Sequence, residues 1–307
     1  MILQKTIREP IEFQGVGLHN GIKVNLCLKP AEANTGIRFK RVDVKDEEKN
    51  IIEADYKNVC SAILCTKIKN SYDISVSTVE HLMAAFYLEG IDNVIVEIDA
   101  PEVPIMDGSS FDFVEAIRSF GTLEQKVPKK FVKVLKKVEI KDGQKYISIE
   151  PLSKDLIIDF EIVYKNPLIR TRKKQFKLSN GDLTSIYNSR TFCLYEDIDQ
   201  IMRQGLAKGG SLENAIVVKE NKILNGDGLR CRDEFVSHKI LDCLGDLMLS
   251  KYRIFGHIKT SQGGHQLTNS LLNKFFSNKL NWEFESSDTK EKDSKDNSYQ
   301  RPIAVNA

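Results

Sequence analysis

The segment from Asp233 to Leu249 constrains the fold of this chain more than any other stretch of the sequence. Its apolar residues, among them Ile240 and Leu244, cover much of a helix circumference, where a surface helix would carry Lys or Glu. The segment therefore predicts a buried helix. Residues four apart lie one above the other on a helix, so one polar stripe runs along it. The stripe consists of Glu234, His238, Asp242 and Asp246. A polar stripe between apolar faces indicates a lined cavity.

Two members of this stripe have the spacing of a metal site on a helix. His238 and Asp242 lie one turn apart, as do the paired histidines of helical zinc proteases. The same spacing also suits a surface ion pair, which stabilises a helix by only about 0.2–0.5 kcal/mol. The helix alone leaves both interpretations open.

A second helix, predicted from about Thr78 to Leu88, carries Glu80 and His81 side by side near its start. Adjacent side chains on a helix diverge by about 100°, so the two cannot face one metal ion together. The pair instead suits a ligand with a neighbouring carboxylate that acts as a base. Ser77 to Glu80 also has the form of a capping box, which is the alternative interpretation.

His265 follows two glycines at the end of the loop from Thr260 to Gly264. Glycine frees the backbone, so the loop can aim this imidazole at the start of the helix predicted from Gln266 to Leu280. A solvated loop histidine without a function is the alternative.

Strands and helices recur in the same order in the two halves of the chain. Glu80–Ser119 parallels Ser237–Phe276, since each contains a helix, a strand, a loop with glycine and a second helix. The repeat can bring His81 and His238 together, and the mixed order favours an α+β fold. Other helices are predicted at Phe111–Ser119 and Glu196–Gln204, and strands at Lys23–Pro30, Asn93–Ile98, Phe131–Ile140, Tyr146–Glu150, Leu156–Tyr164 and Tyr252–Ile258.

The length of 307 residues predicts about two domains. The polar segment Gly121–Lys130, which contains a proline, is the best candidate for a linker between them. We therefore expect a first α+β domain at residues 1–125, a second at residues 126–284 and a disordered tail at residues 285–307.

The expected tail rests on composition, because Ser286–Ser298 contains no apolar residue that could be buried. Its mildly apolar end, Pro302–Ala307, is either a random tail end or a recognition tag for a protease. Both interpretations stay open.

Charge and hydropathy argue against several function classes. Lys plus Arg is 45 and Asp plus Glu is 43, a formal net charge of +2, so no basic excess predicts a nucleic-acid partner. No apolar run approaches the roughly 20 residues of a membrane helix, and Met1–Pro10 lacks the features of a signal peptide. The six cysteines follow no zinc-binding spacing, so we expect free thiols. These features predict a cytoplasmic protein without stable membrane insertion.

A series of motifs carries a resemblance to a known family. The motifs are GVGLHNG (15–21), STVEHLMAA (77–85), APEVPIMDGSS (100–110), SRTFC (189–193), GGSLENAIV (209–217), LNGDGLRCRDEFVSHKILDCLGDL (224–247) and GGHQLTN (263–269). Together they resemble the zinc-dependent UDP-3-O-acyl-N-acetylglucosamine deacetylases of lipid A biosynthesis. The motifs occur in the right order over nearly the whole chain up to about Leu280, so the set is far more specific than any one of them.

The resemblance implies two α+β domains of related topology that pack face to face, with the active site between them. It implies one Zn²⁺ ion per chain, with water in the fourth position of an open catalytic site. The ligands that it implies are His81, His238 and Asp242. Such a site also accepts Fe(II) or Co(II), so the metal used in the cell stays open.

The resemblance also implies the reaction and the roles of further residues. The reaction is hydrolysis of the N-acetyl group of a UDP-linked acylated amino sugar, which releases acetate. Glu80 is similar to the general base of the family, and His265 to a cationic acid held by Asp246. Thr191 is similar to the hydroxyl donor to the oxyanion. The substrate contacts implied in this way are Lys239 and Phe192.

Two other functions compete with this one. Another metal-dependent amidohydrolase could use the same ligand set, but the whole series of motifs goes against it. A non-catalytic sugar-nucleotide binding module would need neither Glu80 nor His265, and both are present.

Overall fold

The computed structural model describes residues 2–286 and shows an α+β fold. Its helices are α1 (Glu80–Glu89), α2 (Phe111–Phe120), α3 (Leu183–Tyr187), α4 (Tyr195–Arg203), α5 (Glu234–Met248) and α6 (His265–Phe276). Its strands are β1 (Leu3–Ile7), β2 (Ile11–Val16), β3 (Lys23–Pro30), β4 (Ile37–Arg41), β5 (Ile51–Glu53), β6 (Val59–Ser61), β7 (Lys67–Lys69), β8 (Ser75–Val76), β9 (Val94–Ile98), β10 (Thr122–Pro128), β11 (Lys130–Val134), β12 (Val138–Asp142), β13 (Lys145–Pro151), β14 (Leu156–Ile162), β15 (Arg172–Lys177), β16 (Phe192–Leu194), β17 (Ile216–Lys219), β18 (Lys222–Ile223), β19 (Arg253–Ser261) and β20 (Trp282–Ser286). Within this range, no helix is both long and apolar enough to span a membrane.

Strand β9 is the centre of a five-stranded sheet with the order β2-β3-β9-β4-β5. It runs antiparallel to β3 and parallel to β4, so Val96 lies opposite both Leu28 and Phe39. All three side chains are buried. Buried and half-buried positions alternate along β9, as they do in a strand with one face on the core.

Strand β19 has the same position in a seven-stranded sheet. It runs antiparallel to β13 along one edge, and parallel to β11 and then to β14 along the other. In each half of the chain a helix precedes the central strand and a second helix follows it, as α1-β9-α2 and α5-β19-α6. The α+β class and the repeated order of elements are both confirmed.

Helices α1 and α5 pack against each other in the interior. Every residue of α1 except Glu89 is buried, and so is every residue of α5 except Lys239. Gly245 permits the close approach, because a Cβ atom there would lie 2.0 Å from the carbonyl oxygen of Glu80. The contact brings the start of α1 alongside the polar stripe of α5.

The candidate linker at Gly121–Lys130 contains a strand that its polar sequence does not predict. Most of this segment forms β10, which pairs antiparallel with β1. The strand is polar because none of its residues is buried and more than half of them are exposed to solvent. The division into domains at residues 1–125 and 126–284 stays a prediction, and its boundary falls within β10.

The expected start of the tail at residue 285 is wrong. Strand β20 continues through Glu285 and Ser286, because it pairs with β11 over its whole length. The rest of the expected tail, including the alternative of a protease tag at Pro302–Ala307, lies outside the described residues.

One predicted strand divides in two. Phe131–Ile140 forms β11 and β12, which have different partners in the sheet. Strand β11 pairs with β19 and β20, whereas β12 pairs with β13.

Candidate metal centre and active site

The three expected metal ligands converge where α1 contacts α5. His81, His238 and Asp242 each offer one ligand atom within 4.8 Å of the other two. The Oδ1 atom of Asp242 is 3.6 Å from Nε2 of His81 and 3.3 Å from Nε2 of His238. All three side chains are buried. Two helices from separate halves of the chain therefore present one compact donor set.

The chemistry of this donor set fits a divalent cation. Nδ1 of His238 lies 3.0 Å from the carbonyl oxygen of Ser189, which can only accept, so this nitrogen carries the proton. Nε2 of His238 then presents a lone pair to Asp242 Oδ1, a buried oxygen without a hydrogen-bond donor among the described residues. Burial lowers the pKa of His238 to about 3, so the ring is neutral at pH 7. Two buried acceptors that face each other are stabilised by a cation between them.

Asp242 is ionised although it is buried. Burial opposes its ionisation, but the nearby cations, the Lys239 ammonium and the His265 imidazolium, outweigh burial and hold the pKa of this carboxyl well below its usual value. Lys239 Nζ donates to Asp242 Oδ2 at 2.9 Å, which leaves Oδ1 for the histidines. Imidazole nitrogens with one carboxylate oxygen are donors that zinc takes in catalytic sites.

A carboxyl group and an imidazole lie beside this cluster. His265 Nδ1 is 2.8 Å from Asp246 Oδ2, and His265 Nε2 is 3.6 Å from Glu80 Oε1. Burial alone would lower the pKa of His265, but the carboxylates of Asp246 and Glu80 raise it to about 10. Burial raises the pKa of Glu80, which makes its carboxylate more basic. The arrangement therefore offers a cationic proton donor and a proton acceptor side by side.

Phe192 and Lys239 lie next to the histidine cluster, and Thr191 is fixed through its main chain. The ring centroid of Phe192 is 6.4 Å from that of His238, and Lys239 Nζ is 5.6 Å from the centre of the Phe192 ring. Thr191 donates its N–H group to the carbonyl oxygen of Gly108 at 2.7 Å. The two expected substrate contacts thus share one side of the site.

The structure decides between alternatives that the sequence leaves open. Glu80 is not part of a capping box, because Val79 precedes α1 without a side-chain cap and the Ser77 hydroxyl donates to a carbonyl oxygen elsewhere. His265 is buried and not a solvated loop residue. Gly264 has a φ of −178°, which any residue adopts, so its freedom is not what aims the imidazole.

Sequence reasoning missed two buried residues at the site. The N–H group of His19 donates to Glu102 Oε1 at 2.8 Å, and its Nε2 atom has no partner within the part of the chain that is described. Burial lowers the pKa of His19, and the nearby His265 adds to this lowering. The motif GVGLHNG contains His19 but predicts no role for it. Thr66, which donates its N–H group to Glu80, lies outside every motif.

A buried cluster of two histidines and an aspartate, next to a cationic imidazole and a carboxyl group, is typical of metal-dependent hydrolases with their own general acid and base. The α+β fold supplies these groups from α1, α5 and the first residue of α6.

Comparison with known proteins identifies the family. Residues 4–277 match the family LpxC, UDP-3-O-acyl N-acetylglycosamine deacetylase. The chain is 42% identical over 287 residues to a UDP-3-O-acyl-N-acetylglucosamine deacetylase of Haemophilus ducreyi, covering 92% of this chain and 93% of that protein. It is 43% identical over 295 residues to the protein of the same name from Actinobacillus succinogenes, covering 95% and 96%. This chain belongs to the UDP-3-O-acyl N-acetylglycosamine deacetylase family, as the resemblance predicts.

Proposed function

We propose that this protein hydrolyses the N-acetyl group of UDP-3-O-acyl-N-acetylglucosamine, and so releases acetate and UDP-3-O-acyl-glucosamine at an early step of lipid A biosynthesis. The observation that carries the proposal is the convergence of His81, His238 and Asp242 next to Glu80 and His265, in a chain of this family. Relatives with this activity in their name match over nearly their whole length, which supports the same substrate.

The proposed cofactor is one Zn²⁺ ion per chain, held by His81, His238 and Asp242. Members of this family are metalloenzymes, and the donor set of this chain fits such an ion. When bound, the ion supplies a Lewis acid for the acetyl carbonyl and lowers the pKa of water from 15.7 to about 7.

Glu80 is the general base of the proposed reaction. Its Oε2 atom accepts the N–H group of Thr66 at 3.0 Å, which leaves Oε1 as the proton acceptor on the side of His265. Oε1 takes a proton from the attacking water while the water oxygen bonds to the acetyl carbon. A positioned base contributes a factor of roughly 10²–10⁴ to such a rate.

His265 is the general acid. Asp246 holds its Nδ1 atom, so Nε2 carries the proton that can be transferred. Cleavage of the amide C–N bond needs a proton on the departing nitrogen, because an amide anion is a very poor leaving group. His265 gives this proton, the sugar leaves as the free amine, and acetate keeps the oxygen from water.

The other expected site residues act on the substrate. The hydroxyl of Thr191 donates to the oxyanion of the tetrahedral intermediate, and one such donor is typically worth about 2.7–4 kcal/mol. Lys239 offers a point charge for a substrate phosphate, and Phe192 an apolar contact. Their positions beside His238 support both contacts.

We also propose a cytoplasmic location and two α+β domains that face each other across the site. The six cysteines are unpaired, as is typical of a reducing compartment. The packing of α1 from the first half against α5 from the second supports a site between the two domains.

The test combines acetate release from the UDP-linked substrate with metal analysis of the purified protein. We expect the zinc-loaded protein to release acetate, and His81→Ala to lose both bound zinc and activity. His257→Ala is the matched control, because that imidazole pairs with Asp159 outside the cluster. Absence of acetate release by the zinc-loaded protein would overturn the activity. Unchanged metal content in His81→Ala would overturn the ligand assignment.

A further inference from the structure

Thr66 is buried at the junction of α1 and α5, in the connection between β6 and β7. All of its polar groups bond to these two helices or their ends. Its N–H group donates to Glu80 Oε2 at 3.0 Å, and its carbonyl oxygen accepts from the N–H group of Val79 at 3.4 Å. Its hydroxyl donates to Asp246 Oδ1 at 2.6 Å, a short bond of the kind made to a charged acceptor. Thr66 therefore links the two carboxyl groups that flank His265.

Three hydrogen bonds and one ion pair join four residues in a ring. Asp246 uses one oxygen for Thr66 and the other for His265 Nδ1, at 2.6 and 2.8 Å. Glu80 uses Oε2 for Thr66, and its Oε1 atom lies 3.6 Å from His265 Nε2. The relative position of the base and the acid is thus fixed on one side by the contact between them and on the other by Thr66.

We propose that Thr66 is a positioning residue, which holds the Glu80 base and, through Asp246, the His265 acid in one fixed relative geometry. The proposal rests on the proposed function and deepens it. The hydroxyl is suited to this role because a β-branched side chain has few χ1 rotamers, so the donor points in one direction. Without the hydroxyl, Asp246 Oδ1 loses its donor in a buried site, and the carboxylate that orients His265 can rotate.

The test uses Thr66→Val, which keeps the shape and the N–H bond to Glu80 and removes only the bond to Asp246. We expect kcat to fall by about tenfold, the effect of one hydrogen bond to a charged group, while KM stays within about a factor of two. Thr66→Ser keeps a donor and should recover most of the rate. The matched control is Thr6→Val, which removes another buried hydroxyl, one that accepts from the N–H group of Ala31.

Two further measurements separate positioning from a structural role. In the Asp246→Ala background, Thr66→Val should have almost no additional effect on kcat, since Asp246→Ala already removes the acceptor of the Thr66 hydroxyl. The NMR resonance of the His265 Nδ1 proton should shift in Thr66→Val and stay in place in Thr6→Val. This signal does not depend on turnover, so it tests the ring of bonds even if the wild-type protein failed to release acetate.

Three results would each overturn the proposal. They are a wild-type kcat in folded Thr66→Val, an equal loss in Thr66→Ser and Thr66→Val, and a His265 resonance that does not move in Thr66→Val. Full additivity with Asp246→Ala is a fourth such result, because it would show that Thr66 does not act through Asp246.

Discussion

Asp246 sets the charge state of His265. Burial would lower the pKa of this imidazole, and the neighbouring carboxylates raise it to about 10 instead. At neutral pH His265 is therefore an imidazolium, which is the form that can protonate a departing amine. The proton becomes unavailable only as the pH rises through this pKa.

Asp246→Asn should move the basic limb of the pH–rate profile of kcat/KM to lower pH. The substitution removes the largest of the three carboxylate charges that raise the pKa of His265, while burial still lowers it. An NMR titration of the imidazole should show the same downward shift. Thr268→Val, in α6 close to His265, is a control that leaves the charge unchanged. A basic limb in the same place in Asp246→Asn and the wild type would contradict this assignment.

Glu80→Gln should keep the bound metal and lose most of the rate. Glu80 is adjacent in sequence to the proposed ligand His81, but its carboxyl group points to Thr66 and His265. An isosteric amide at this position therefore leaves the three proposed metal ligands in place and removes the proton acceptor. The loss in kcat should be roughly 10²–10⁴-fold, as for other positioned bases. Metal analysis and the acetate assay measure the two effects separately, and Glu115→Gln, exposed on α2, provides the matched control. A rate close to that of the wild type with full metal content would exclude Glu80 as the base.

At the scale of elements, the close contact of α1 with α5 depends on Gly245. In the interior of an exposed helix, substitution of a glycine by Ala normally stabilises the protein by up to about 1 kcal/mol. At Gly245 the sign should reverse, because a Cβ atom would lie 2.0 Å from the Glu80 carbonyl oxygen. We expect Gly245→Ala to lower the free energy of unfolding by about 1–3 kcal/mol and to reduce activity by moving α1.

Denaturant unfolding and the acetate assay check this expectation. Gly226→Ala is the control, since no atom lies within 4 Å of a Cβ atom at that position. A variant Gly245→Ala as stable and as active as Gly226→Ala would mean that α1 and α5 can separate without cost.

Local sequence patterns predict some parts of the fold and the site, and contacts between residues far apart in the chain determine the rest. Helix α5 was predicted to within one residue at each end, because its apolar spacing and its polar stripe are local features. Strand β10 was missed because its polar sequence reflects the exposure of this strand, and its pairing with β1 joins residues far apart along the chain. Thr66 was missed for a related reason. It lies 14 residues before Glu80 and 180 before Asp246, and no spacing connects the three.

At the scale of the whole molecule, the proposed metal joins two halves of the chain. His81 comes from α1, and His238 and Asp242 come from α5, so the donor set exists only when the two helices are packed together. An ion that binds the folded chain and not the unfolded chain stabilises the fold by mass action. At a free metal concentration 1,000 times Kd this stabilisation is about 4.1 kcal/mol.

Removal of the metal should therefore lower Tm as well as abolish activity. A change of 1 kcal/mol shifts Tm by about 2–4 °C in a domain of 150–250 residues, so a chelator should lower Tm by several degrees and added Zn²⁺ should restore it. In His81→Ala the chelator should have little effect on Tm, because α1 no longer contributes a ligand and the ion no longer joins α1 to α5. His257→Ala should respond to the chelator as the wild type does, since its imidazole pairs with Asp159. An equal chelator effect in His81→Ala and the wild type would show that the metal stabilises the protein at some other place.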